Sequence, residues 1–152
     1  MPVLWLREAL LLAKCRRKGL CSMKDITREW LAKAAEDLSA AKALLDRPDL
    51  TNIVAFHAQQ AVEKALKGAI EELDLGLVRT HSLTRLYELV RSHFAVISDM
   101  DMLDRLEAVY LEARYPGDRG LLPEGKPSQD EAGRFYAFAQ DIYECLCDHL
   151  ER

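Results

Sequence analysis

The stretch Phe56-His57-Ala58-Gln59-Gln60-Ala61-Val62-Glu63-Lys64-Ala65-Leu66-Lys67 carries two helical stripes at once. At roughly 100° per residue, His57, Gln60, Lys64 and Lys67 fall within an arc of about 80°. Beside that arc lie Ala58, Ala61, Val62, Ala65, Leu66 and Ala69, which read as the core-facing side. The stretch therefore predicts a helix that offers a core contact and a polar binding face together.

Working outward, the chain before this helix repeats the same period. From Lys24, the residues Ile26, Trp30, Ala34, Leu38, Ala41 and Leu45 step by three or four, which predicts a long amphipathic helix stopping at Arg47-Pro48. Residues 49–52 form the turn. The central helix then runs from Asn52 to Leu73 and ends near Asp74-Leu75-Gly76, with Gly76 as its left-handed cap. A third helix is expected from Thr80 or Ser82 to about Phe94, with Leu83, Leu86, Leu89 and Val90 inward. Ser98 reads as the N-cap of a fourth, carrying Met102, Leu103, Leu106, Val109 and Tyr110 and stopping before Pro116. The turn formers from Tyr115 to Pro127 make one long loop. After it, Ser128-Gln129-Asp130-Glu131 has the form of a capping box and opens a last helix with Phe135, Phe138, Ile142 and Leu146 inward.

No segment alternates with period two, so the expected fold class is all-α, an antiparallel up-and-down bundle of four to five helices joined by short connections. A length of 152 residues suits one domain with a real core. The formal charge of −4 excludes nucleic-acid binding by bulk electrostatics and demands a local basic cluster instead. Residues 1–22 hold five Lys or Arg against Glu8, a net +4, which leaves −8 on residues 23–152.

Residues 1–22 therefore stand apart as an N-terminal extension. Their apolar run (Leu4, Trp5, Leu6, Leu10, Leu11, Leu12) precedes the basic cluster, the reverse of a secretion signal, and is too short to span a bilayer. Met23 directly precedes the first well-formed helical pattern, so the extension reads as an upstream mis-assigned start or an amphipathic surface helix. Cys15, Cys21, Cys145 and Cys147 match neither zinc nor redox spacing, which points to a reducing cytoplasm. Cys145 and His149, at i and i+4, supply two metal-ligand types where a site needs more. No metal site and no cofactor are expected.

Three blocks, Phe56 to Lys67, then Arg79-Thr80-His81-Ser82-Leu83, then Ala113-Arg114-Tyr115-Pro116, resemble in order and spacing the signature blocks of HEPN domains. The resemblance spans residues 23–152. It implies a bundle related to the C-terminal domain of kanamycin nucleotidyltransferase, homodimers, and a separately encoded minimal nucleotidyltransferase as partner. Many members of that family are ribonucleases with an Arg, four to six residues, then a His. No Arg stands at that spacing before His57, His81, His93 or His149, and Arg85 precedes His93 by seven intervening residues. The resemblance thus carries over the family without its catalytic pair, and no catalytic residue is assigned.

The candidate ligand-binding residues are His57, Gln60, Lys64, Lys67, Arg79, His81, Arg114 and Tyr115. Lysines and arginines would hold phosphate, and imidazoles would add donors that titrate near neutrality. Each also has a structural reading. His57 and Gln60 can tie to a carbonyl or carboxylate at a helix junction. Lys64 can pair with Glu71 or Glu72 and Lys67 can lie on a solvated face. Arg79 and His81 can tie down a helix start, and Arg114 suits a helix C-terminus without any ligand. Three functions fit: a nucleotide- or RNA-binding companion of a nucleotidyltransferase, which the reading favours; a metal-independent ribonuclease toxin of a toxin–antitoxin pair; and a structural dimerisation module.

Overall fold

The computed structural model describes residues 23–113 and 126–151. Among them are five helices and no strand: α1 (Asp25–Ala43), α2 (Thr51–Glu72), α3 (Leu83–Val90), α4 (Met100–Ala113) and α5 (Gln129–Leu150). They pack as an antiparallel up-and-down bundle. α2 lies at its centre and touches each of the other four helices. The N-terminal extension, Arg114, Tyr115 and most of the long loop lie outside the described residues. No helix among those described is long and apolar enough to cross a membrane.

The alanine stripe explains why α2 takes the middle. Ala58, Ala61, Val62, Ala65, Leu66 and Ala69 are all fully buried, as their spacing predicts. Small side chains let neighbouring helices approach from several directions. Gly68 completes the contact with α1, because a Cβ built there would lie 3.2 Å from Trp30 Cβ and 3.6 Å from the Thr27 carbonyl oxygen. Phe135, Leu83, Leu86, Leu103, Leu106, Ile142 and Leu146 fill the space around it from α3, α4 and α5.

Element ends differ from expectation where side chains compete for backbone groups. α1 ends at Ala43, short of Arg47, because Leu44 N–H turns to the Ala41 carbonyl and Leu45 N–H to that of Lys42, tightening the last turn. Arg47 then grips Asp49 through Nε at 3.0 Å and Nη2 at 2.8 Å. Those bonds hold the Asp49 carboxyl below its ordinary range. At the end of α2 Asp74 (φ 52°) takes the left-handed cap position, and Gly76 two residues on also has a positive φ (97°). Leu75 N–H reaches the Ile70 carbonyl and Asp74 N–H that of Glu71, a Schellman pair. Asp99 replaces Ser98 as the cap of α4, its carboxylate accepting from Met102 N–H at 2.9 Å. Ser128 caps α5 through Glu131 N–H, yet the Glu131 carboxylate pairs with Arg105, so only half of the capping box forms.

Two expected core residues are exposed, Ile26 and Leu89. The buried stripe of α1 is Thr27, Leu31, Ala34, Leu38 and Ala41, which places Ile26 about 100° to one side. Leu89 similarly lies outside the stripe Leu83, Leu86, Tyr87 and Val90 of the short α3. Tyr87 ties this helix to the next connection: its hydroxyl donates to the Ile97 carbonyl at 3.0 Å and accepts from Ile97 N–H at 3.2 Å. Tyr87→Phe is expected to cost about 1–3 kcal/mol, since both buried backbone groups lose their partner. Urea unfolding measures it, and an unchanged midpoint would show the bonds to be dispensable.

Candidate functional site

His57 and Lys64 of the polar stripe of α2 reach α1 at the buried carboxylate of Asp37, while Gln60 and Lys67 gather with His81 on a second buried carboxylate, that of Glu63 on α2 itself. Residue numbers run oppositely along the seam between the two helices: Asp37 meets His57 and Lys64, Trp30 meets Lys67 and Gly68, and Thr27 meets Glu72. The side chain of Asp37, only 11% exposed, accepts from His57 Nδ1 at 2.9 Å through Oδ1 and from Lys64 Nζ through Oδ2. That of Glu63, 5% exposed, accepts from Lys67 Nζ at 2.8 Å and His81 Nδ1 at 2.9 Å through Oε1. Its Oε2 takes the Gln59 and Gln60 amides at 3.3 Å each. Each carboxylate thus seats one lysine and one histidine.

The local fold explains who reaches whom. Glu63 and Lys67 stand at i and i+4, a natural helical pair. His81 belongs to the connection between α2 and α3, and that connection is pinned twice: by its imidazole on Glu63 and by its carbonyl, which accepts from Gln59 Nε2 at 3.3 Å. Gln59 itself is fully buried and accepts from Gln60 Nε2 at 2.9 Å. At the far end, Lys24 donates to the Glu71 carbonyl at 2.8 Å and to Asp74 at 2.6 Å, placing a cation against the C-terminus of α2.

The structure therefore gathers the expected site residues in two groups, His57 and Lys64 on Asp37 and Gln60, Lys67 and His81 on Glu63. Lys64 pairs with Asp37, away from Glu71 and Glu72, and Lys67 is mostly buried, away from the solvated face expected of it. Arg79 is exposed, two residues before His81, and makes no ion pair among the described residues. Arg114 and Tyr115 lie outside them. His149 donates to the Cys145 carbonyl at 2.7 Å, with its ring against Phe94, and no metal-ligating cluster occurs among the described residues.

Sequence reasoning missed Asp37, Gln59 and Glu63 as site residues. A signal for Asp37 existed: it falls seven residues after Trp30, at the edge of an otherwise apolar stripe, where an acid needs a partner. Glu63 was legible only through its i, i+4 relation to Lys67.

Helix order, a central alanine-rich helix and a carboxylate-anchored polar seam define an all-α bundle of a particular class. The chain belongs to the HEPN family: the model of the HEPN domain matches residues 27–150. The crystal structure of TT1696 from Thermus thermophilus is similar, with a TM-score of 0.64 and 27% identity over 83% of this chain and 99% of that one. No curated protein matches the sequence.

Proposed function

We propose that this HEPN protein is a non-catalytic, cytoplasmic companion of a minimal nucleotidyltransferase, acting as a homodimer, and that its α1–α2 seam binds a nucleotide or polynucleotide end by its phosphates. The observation that carries the reading is a clustering of cationic and imidazole donors on two buried carboxylates. Residues 23–152 are net −8, yet Lys64 and His57 gather on Asp37 and Lys67 and His81 on Glu63, with Arg79 exposed two residues before His81. His57 and His81 each spend Nδ1 on a carboxylate and keep Nε2 for another partner. Lysines already seated on carboxylates are pre-positioned point charges, and an incoming phosphate shares them with Asp37 and Glu63.

Titrating the full chain with ATP or a short oligoribonucleotide at low salt tests this. Arg79→Gln is expected to weaken binding about three- to tenfold, lower the salt slope by about one and leave the melting temperature unchanged. No binding by the wild type at low salt would sink the proposal. RNA cleavage that disappears in His81→Ala would replace it with the ribonuclease reading. Purifying the tagged chain from its native cell shows whether a nucleotidyltransferase accompanies it.

A further inference from the structure

One end of the bundle is both acidic and apolar, and the chain enters α1 there. Lys24 Nζ on Asp74 and Thr27 Oγ1 on Glu72 hold the start of α1 against the end of α2. α5 finishes at the same end, because Gln129 at its start bonds the Leu45 carbonyl at the α1–α2 turn, and α2 and α5 are each 22 residues long. Two helix C-termini therefore lie there, and their dipoles favour cations. Residues 23–30 and 71–78 set Asp25, Glu29, Glu71, Glu72 and Asp74 against Lys24 and Arg28, a net of −3. Ile26, next to Asp25, is 43% exposed, and Leu77, three residues past Asp74, is 79% exposed, the most of any large apolar side chain described. Such a surface calls for a cover that is itself basic and apolar.

The sequence of residues 1–22 is that complement. It carries a net +4, concentrated in Lys14, Arg16, Arg17 and Lys18, behind the apolar run from Leu4 to Leu12, and it leads directly into Met23. Met23 packs on the core at the acidic end. Lys18 stands five residues before Met23 and Lys14 nine, so the chain itself keeps these charges within roughly 18 and 32 Å of it. A tether this short gives an effective concentration on the order of millimolar, which a free partner rarely matches. Exposed ion pairs that are individually weak then act together. We propose that residues 1–22 fold back on this end of their own bundle, the basic stretch over Glu29, Glu71 and Asp74 and the apolar run over Ile26 and Leu77. The extension is on this reading a clasp that joins the entry of α1 to the exit of α2, and its cations are engaged by the bundle ahead of any polyanion.

Limited trypsin digestion of the full chain tests the clasp, since trypsin cuts after Lys14, Arg16, Arg17 and Lys18 and mass spectrometry locates each cut. Cutting there is expected to be about tenfold slower than in the free peptide of residues 1–22 under the same conditions, because cleavage follows the undocked population. Glu29→Lys with Glu71→Lys, at an exposed and a partly exposed position, brings the rate back to that of the peptide. In a Trp30→Phe background, which leaves Trp5 as the only tryptophan, Trp5 is shielded from acrylamide. The two lysine substitutions expose it, and adding Arg16→Glu with Arg17→Glu shields it again. Wild-type chain cut as fast as the peptide overturns the proposal without need of any variant. Slow cutting that is lost on dilution assigns the extension to a second copy, and shielding of Trp5 only by phosphatidylserine vesicles assigns it to a membrane surface; either result overturns docking on the same chain.

Discussion

Replacing Glu63 by Ala is expected to lower folding stability by about 3 kcal/mol, the lower end of the range for removing one partner of a buried charge pair. Its carboxylate accepts from Lys67, His81, Gln59 and Gln60, and the substitution strips all four donors of one acceptor. The loss stays at that lower end because the side chain of His81 is already 67% exposed and turns to water readily. Gln59 is fully buried and has no such escape. Glu63→Gln keeps the shape and places an amide among donors, so its loss is smaller. Urea unfolding gives the stability change, and limited proteolysis of the 73–82 connection gives its local consequence, faster cutting once His81 is unpinned. A Glu63→Ala protein as stable as the parent would show that the network adds nothing to the fold.

Gly68→Leu is the second large effect, about 3 kcal/mol of destabilisation by overpacking. The nearest atoms are Trp30 Cβ at 3.2 Å, the Thr27 carbonyl oxygen at 3.6 Å and Leu31 Cδ2 at 3.7 Å. The first two belong to the body of α1 and cannot move without the helix. Gly68→Ala is a sensitive control: alanine gains up to about 1 kcal/mol of helix propensity, and the contact with Trp30 opposes it. Thermal melts of the two variants should differ widely, with Ala within about 1 kcal/mol of the parent. Comparable melts for Leu and the parent would mean that α1 and α2 have room to spare at this crossing.

The helices were legible because apolar spacing and caps are local properties, as the fully buried positions from Ala58 to Ala69 illustrate. Boundaries were less so. Arg105 draws Glu131 out of its capping box, and Asp74 closes the Schellman pair, with Gly76 taking its positive φ just beyond it. The site was half legible. His57, Gln60, Lys64 and Lys67 declare themselves by sharing an arc of one helix. Their partner Asp37 comes from a different helix, twenty residues before His57, and only packing brings it beneath them. Tyr87 and Ile97 meet across a connection in the same way. Pairing between elements is settled by the helices' crossing, which no local pattern encodes.

α2 touches every other described helix, and this sets how the bundle can breathe. A peripheral helix can detach while the rest persists, exchanging its amide protons through a local opening; α2 has no such route, because releasing it dissolves all its neighbours' packing. Its amides are thus protected by the full free energy of unfolding, and the lysines and carboxylates it carries are fixed to the most slowly opening part of the described bundle. A ligand gripping those groups stabilises the cooperative unit as a whole, so occupancy at the seam is felt by α3, α4 and α5, which the ligand never contacts.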